Sequence, residues 1–168
     1  DALGKVMDQA GFPDSNNETL STLSGGSAGE SIDLLANDGL EIYQNILSLL
    51  STAPRMNRPR IIALGEKCAG KGAEGRYDMT IRLLMLALSR LALSGAKGSG
   101  EIVLNGEAEL AARLSANPYQ AREWATLVQE LTARIAHARA VNLDPAQVIL
   151  DTFFSIDATA GRASLLSA

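Results

Sequence analysis

Apolar positions along the chain recur every three or four residues, and the strict alternation typical of β-strands is almost absent. One clear stripe follows Asp38, which we expect to cap a helix, and ends before Pro54. Its members share one helical face: Leu40, Tyr43, Ile46, Leu47 and Leu50. The same spacing continues through most of the chain, and it predicts an all-α protein.

The first 37 residues carry three short helical patterns separated by turn residues. The first surrounds Leu3 to Ala10, and the second holds Leu20 and Leu23 and stops at Gly25-Gly26. Ser27 can cap the third, which ends near Asn37. Helices this short are marginal alone, so we predict a small three-helix unit over residues 1–37, followed by a helical bundle over residues 38–168.

Five longer helices are predicted within residues 38–168 besides a short one at 107–116. The pattern from about 73 to 93 is the longest and most apolar, which places that helix at the centre. A glycine-rich loop is predicted over 94–106. A helix from Pro118 to about Val141 has its buried row at Trp124, Val128, Leu131 and Ile135. Asn142 and Asp144 form a structural corner, because asparagine tolerates left-handed backbone and aspartate caps the last helix. From about Thr159 the tail is expected to fray.

Composition limits the kinds of site the chain can hold. Hydrophobic residues make up 46% of its 168 residues but aromatic residues only 4%, so the core is aliphatic. A single cysteine excludes an internal disulfide framework and a cysteine-based zinc site, and a single histidine argues against a histidine-rich metal centre. The longest uninterrupted apolar run, Leu83 to Leu88, is six residues, too short to cross a bilayer. We therefore expect a cytoplasmic protein with no membrane partner.

Charge is distributed unevenly around a net value of −4. Residues 1–50 hold one lysine and eight acidic residues, whereas residues 55–82 hold seven basic and three acidic ones. The basic stretch has only Tyr77 as an interleaved aromatic residue, so it lacks a platform for stacking bases. We interpret it as a solvated helix face with at most weak, sequence-independent affinity for DNA that fades as salt rises.

No residue pattern predicts catalysis, a cofactor or a metal. Residues 65–72 match the sequence pattern of a phosphate-binding loop as far as Lys71, but Gly72 replaces the serine or threonine that would hold magnesium. A phosphate-binding loop also follows a strand, whereas this segment lies at the end of a predicted helix. His137 lies on the polar side of its helix without a nucleophilic partner, and Cys68 fits a small core position. The chain is therefore not expected to be an enzyme.

Three stretches, taken in order, carry a resemblance to a known family. LSGGSAGESI (residues 23–32) leads through NDGLEIY (37–43) into the first long helix. AREW (121–124) opens a helix that closes at AVNLD (140–144), and VILDTF (148–153) fills the last helix. This order resembles the C-terminal part of the delta-prime subunits of bacterial DNA polymerase III, which belong to the clamp loader.

The resemblance implies a lid at residues 1–37, a collar at 38–168 and an AAA+ domain upstream of Asp1. Collars of such subunits pack into a ring, and the assembled loader places the sliding clamp on primed DNA. ATP-binding relatives carry a lid arginine near the position of Gly29, and many delta-prime chains have proline and arginine where Ala28 and Glu30 stand here. That departure removes any contact between the lid and a nucleotide.

The implied role is therefore non-catalytic assembly with the other clamp-loader subunits, with the clamp and DNA reached only indirectly. The outward side of the Trp124 helix is the candidate subunit interface, and it carries Arg122, Gln129, Arg134 and His137. We expect charge reversal at Arg122 and Arg134 to weaken partner binding and leave the fold intact. The alternative is an unrelated all-helical adaptor or regulatory domain that binds other proteins.

Overall fold

The computed structural model describes residues 14–98 and 106–166. The helical pattern at residues 3–10 lies outside these ranges. Eight helices and no strand occur in the described part, which confirms the all-α fold. The helices are α1 (Asp14–Leu23), α2 (Ala28–Ala36), α3 (Gly39–Leu50), α4 (Arg58–Ala69), α5 (Glu74–Lys97), α6 (Glu107–Leu114), α7 (Pro118–Ala140) and α8 (Pro145–Ser164).

Helix α5 lies at the centre of the bundle, as its apolar pattern predicts. It packs against α3, α4, α6 and α7, and α8 closes the bundle by packing against α4, α6 and α7. By length and composition α5 could cross a membrane, but half of its most apolar window is buried inside the bundle. Its apolar residues thus serve as core, among them Leu83, Leu84, Leu88 and Leu91.

The two N-terminal helices of the described part rest on the same apolar core as the rest. Leu20, Leu23 and Leu34 are buried and belong to one hydrophobic cluster with the residues of α3 to α8. Gly39 makes the turn from α2 into α3 possible, because a Cβ there would stand 2.6 Å from Leu34 Cδ2 and 2.9 Å from the Leu34 carbonyl oxygen. The division at residue 37 stays a prediction.

Asp38 does not cap α3 as expected. Its backbone is left-handed, with φ 54°, and its side chain makes no capping hydrogen bond. The carboxylate turns instead toward Arg76 at 4.0 Å, and Glu41 lies 3.9 Å from the same guanidinium. Charge pairing with α5 therefore replaces the local cap. Ser27, by contrast, does accept a hydrogen bond from the Glu30 amide, as the sequence predicts.

The predicted loop at 94–106 is wrong at its start, because α5 continues to Lys97. Gly95 is helical for a packing reason. A Cβ there would stand 2.4 Å from Ser115 Oγ and 2.8 Å from the Ser115 carbonyl oxygen. The glycine thus allows α5 to approach the segment between α6 and α7.

The expected fraying from Thr159 is also wrong. Helix α8 runs to Ser164, and Thr159, Ala160 and Ala163 are fully buried. The buried Gln120 amide donates to the Ala163 carbonyl oxygen at 2.9 Å, so α7 holds this end in place. Small side chains here reflect close helix packing and not a loose tail.

The connection between α3 and α4 is held by side chains from two other helices. Asp157 Oδ1 on α8 accepts hydrogen bonds from the backbone amides of Arg55 and Met56, at 2.9 and 3.1 Å. The Arg113 guanidinium on α6 donates to the carbonyl oxygens of Ser51, at 2.7 Å, and Ala53. A cation at the carboxyl end of α3 also suits the helix dipole.

Candidate protein-interaction site

The candidate site is the outward side of α7 together with the corner that joins it to α8. Asn117 caps α7, since its Oδ1 accepts from the amides of Tyr119 and Gln120, both at 3.0 Å. The inward side of α7 is fixed by Trp124, which is fully buried and donates its indole hydrogen to the Leu114 carbonyl oxygen at 2.8 Å. The predicted row is confirmed, with Val128 only partly buried.

The structural corner forms as the sequence predicts. Asn142 is left-handed, with φ 53°. The Leu143 amide donates to the Ala138 carbonyl oxygen at 2.9 Å and the Asn142 amide to that of Arg139 at 3.3 Å, which is the double hydrogen bond of a Schellman motif. Asp144 Oδ1 then accepts from the Ala146 amide at 3.3 Å and caps α8. The corner therefore fixes the angle between the two helices.

The four predicted interface residues are all exposed, but they do not point the same way. Arg122 and Gln129 lie two turns apart on one stripe of α7, and Arg122 also sits 5.9 Å from the Tyr119 ring centroid. His137 lies two further turns along, beside the corner. Arg134 turns toward α8, where it pairs with Asp151 and donates to Ser155 Oγ at 2.9 Å.

An apolar groove of about 460 Å³ lies at the surface between α7 and α8, next to the corner. Arg134, His137 and Asp151 stand among its polar lining groups. Its apolar lining comes from both helices and the corner: Leu131, Ile135, Ala138, Leu143 and Val148. At the corner, Val141 and Leu143 are 51% and 53% exposed. The interface predicted from the sequence consists of four polar residues and lacks this apolar part, although Val141 and Leu143 directly flank Asn142 of the predicted corner.

The segment that resembles a phosphate loop has a different structure. Gly65 lies within α4, where a Cβ would stand 3.2 Å from the Ala146 carbonyl oxygen of α8, so it serves helix packing. Cys68 is buried, as expected, and burial raises the pKa of its thiol. In the described ranges no three histidine, cysteine or acidic residues are grouped so that they could hold a metal ion.

One polar cluster was not predicted from the sequence. Tyr43 on α3 donates its phenol hydrogen to Glu107 of α6 at 2.5 Å, and Arg90 of α5 pairs with the same carboxylate at 3.1 Å. Tyr43 is fully buried. Burial, then the hydrogen bond to Glu107 and its charge, raises the pKa of the phenol well above its ordinary value. The cluster links three helices inside the bundle, and its members look unrelated in the sequence.

Comparison with known proteins gives no relative: no family model, curated protein or solved structure matches this chain.

Proposed function

We propose that the chain is a non-catalytic assembly module, the lid and collar region of a delta-prime-type clamp-loader subunit, and that it acts in the cytoplasm. In this role it joins other clamp-loader subunits through the candidate site on α7 and α8. It reaches the sliding clamp and primed DNA only through the assembled complex. The family part of the proposal rests on the three sequence stretches, and the interaction part rests on the surface.

The observation that carries the interaction role is the exposed apolar corner beside the groove. Stable protein interfaces combine an apolar centre with a polar rim. Val141, Leu143 and the groove supply the apolar part, while Arg122, Gln129 and His137 supply a rim. Because the Schellman hydrogen bonds fix the backbone that carries Val141 and Leu143 before a partner arrives, little backbone entropy is lost there on binding.

The structure changes how this interface should be tested. Reversing the charge of Arg134 would bring a second carboxylate against Asp151 and remove its contact with Ser155, so the variant would disturb the α7–α8 packing as well as the surface. Leu143→Asp places a charge in the apolar centre and keeps the Leu143 amide in the corner. Leu165→Asp is the matched control, since Leu165 is 81% exposed at the end of α8.

The experiment is a pull-down with purified clamp-loader partner subunits, accompanied by circular-dichroism melting. We expect Leu143→Asp to weaken partner binding by tenfold or more, about 1.4 kcal/mol, with a melting temperature close to that of Leu165→Asp. Equal binding by both variants would exclude this face as the interface. If wild-type protein binds no clamp-loader subunit, the clamp-loader assignment loses its support and the adaptor alternative gains.

A further inference from the structure

The basic stretch at residues 55–82 divides into a first part, residues 55–71, and a second part, residues 72–82, which differ in whether their basic side chains form ion pairs within the protein. In its second part, Arg82 pairs with Asp33 at 3.3 Å, and Arg76 lies near both Asp38 and Glu41. These acids belong to the negatively charged N-terminal region. The fold thus pairs the basic residues of the second part internally, through ion pairs from α5 to α2 and to the start of α3.

The first part, residues 55–71, keeps its positive charge. Its basic surface consists of Arg55, Arg58, Arg60, Lys67 and Lys71, all exposed, with Glu66 as the one acidic residue in this range. None of the five forms an ion pair within the described ranges, whereas Arg134, Arg139 and Arg162 each pair with a carboxylate. Arg58 and Arg60 also lie in the first turn of α4, where the helix dipole disfavours cations. Ion pairing within the fold therefore does not explain this cluster.

Neutral groups hold two of these guanidinium groups in place. Arg58 lies over the Phe154 ring, 5.4 Å from its centroid, and Arg60 Nη1 donates to Ser48 Oγ at 3.1 Å. Asp157 lies close to Arg55, but its Oδ1 is occupied by two backbone amides. The remaining guanidinium N–H groups can therefore bind oxygens of an outside anion. Phe154, 42% exposed, offers its ring edge beside Arg58, whose guanidinium already covers one ring face.

We propose that the basic surface binds the phosphodiester backbone of a nucleic-acid strand, weakly and without sequence preference. Arginine forks match phosphate oxygens, and an adjacent aromatic ring suits an unpaired base. The cations are spread from the segment before α4 to the residue after Gly70, and α4 alone is about 18 Å long for its 12 residues. Arg58 and Arg60 lie about 200° apart around the helix axis, so their guanidinium groups do not converge on one point. This spread fits a linear polyanion better than a small anion, which needs converging donors. An acidic protein segment is the competing ligand, and the test below separates the two.

This inference does not rest on the proposed function, because it concerns α4 and not the α7–α8 corner. It departs from that function in one respect, since α4 would contact nucleic acid directly and not only through the assembled complex. The test is fluorescence anisotropy of the full chain with a labelled oligothymidylate of about 20 nucleotides, titrated to about 100 µM protein, the weak limit of non-specific binding. At about 50 mM salt we expect saturable binding, with an affinity that falls as salt rises. Arg55→Gln/Arg58→Gln/Arg60→Gln should weaken it about tenfold and reduce the salt slope by about two.

The matched control is Arg82→Gln/Arg139→Gln/Arg162→Gln, which removes the same charge from ion-paired positions and should leave affinity within about twofold of wild type. Glu66→Gln removes the opposing carboxylate and should strengthen binding, a gain that unfolding cannot mimic. The absence of binding, or equal loss in both triple variants, would overturn the proposal. So would arginine-dependent binding of polyglutamate with no binding of the oligothymidylate, which would identify an acidic protein ligand instead.

Discussion

At the scale of single residues, a few side chains link one helix of the bundle to another. Trp124 reaches from α7 to the Leu114 carbonyl at the end of α6, and Tyr43 reaches from α3 to Glu107 at the start of α6. Both ends of the short helix α6 are thus tied to longer helices. Arg113 adds a third link, from α6 to the carbonyl oxygens that end α3. Because α6 has only eight residues, these links matter more for it than its own helix propensity.

Truncating Trp124 should open a cavity that the aliphatic neighbours cannot fill. We expect Trp124→Ala to lower the free energy of unfolding by about 3–5 kcal/mol, measured by urea denaturation followed by circular dichroism. Tyr119→Ala is the control on the same helix, because Tyr119 is exposed, and it should cost less than about 0.5 kcal/mol. Similar losses in the two variants would contradict the assignment of Trp124 to the core.

The raised pKa of Tyr43 predicts a dependence of stability on alkaline pH. Its folded pKa lies above the unfolded value near 10, so its contribution is complete below that value and is lost as pH rises through the folded pKa. We expect the free energy of unfolding to fall above about pH 10. In Tyr43→Phe this fall should be smaller. Part of the fall in the free energy of unfolding should remain in Tyr43→Phe, because burial also raises the pKa of Tyr77.

At neutral pH the same substitution should cost about 1–3 kcal/mol, since Glu107 loses a buried donor. The measurement is a series of urea melts across the alkaline range for both proteins. Parallel pH curves for wild type and Tyr43→Phe would show that the phenol does not carry the effect.

At the scale of helices, glycine has two opposite roles that sequence alone does not distinguish. Gly25 and Gly26 have positive φ and end α1, as their pattern predicts. Gly95 and Gly65 lie inside helices and permit close contacts with other segments. A glycine that ends a helix is identified by local chemistry. A glycine that lets its helix contact another segment closely is identified only from the atoms of that segment in the folded structure.

Replacing a helical glycine by alanine should change the free energy of unfolding in opposite directions in α5 and α8, depending on the atoms that the new Cβ meets. Gly95→Ala should lower stability by about 1–3 kcal/mol, because its Cβ would meet the Ser115 and Asn117 backbone oxygens at 2.8 and 2.9 Å. Gly161→Ala in α8 should raise stability by about 1 kcal/mol, since its Cβ would meet only Pro54 Cβ at 4.0 Å. Thermal melts of both variants test this. A gain in both would mean that α5 is not closely packed at Gly95.

The sequence predicts most helices because apolar spacing and caps are local features. The Asn117 cap, the Asn142 and Asp144 corner and the buried row of α7 all follow from residues that adjoin each other along the chain. The features that the sequence does not predict depend on contacts between segments that are far apart along the chain. The large apolar side chain of Ile62 in α4 is 42% exposed, while the small residues Ala160 and Ala163 in α8 are fully buried. The groove and the Tyr43 cluster likewise depend on how helices are placed relative to each other.

On the scale of the whole molecule, the N-terminal helices contribute charge as well as apolar contacts. Deleting residues 1–37 would remove Leu20, Leu23 and Leu34 from the core and leave Arg82 without Asp33. Helices α3 to α8 would keep most of the apolar cluster. We therefore expect residues 38–168 to unfold cooperatively with a lower melting temperature than the full chain.

Calorimetry of the two proteins tests this, and it tests the division at residue 37 as well. Loss of a cooperative transition in residues 38–168 would show that the N-terminal helices are integral to a single folding unit. An unchanged melting temperature would show that their packing contributes no stability.

The burial of Trp124 has a practical consequence, because the chain contains a single tryptophan. Its fluorescence comes from one known position, where α6 meets α7, and so reports on one contact without any label. If α6 separates from α7, the indole gains water and its emission shifts to longer wavelength. A partner that docks on the outward side of α7 should leave the emission nearly unchanged. The protein thus carries an intrinsic optical reporter that distinguishes loss of internal packing from events at its surface.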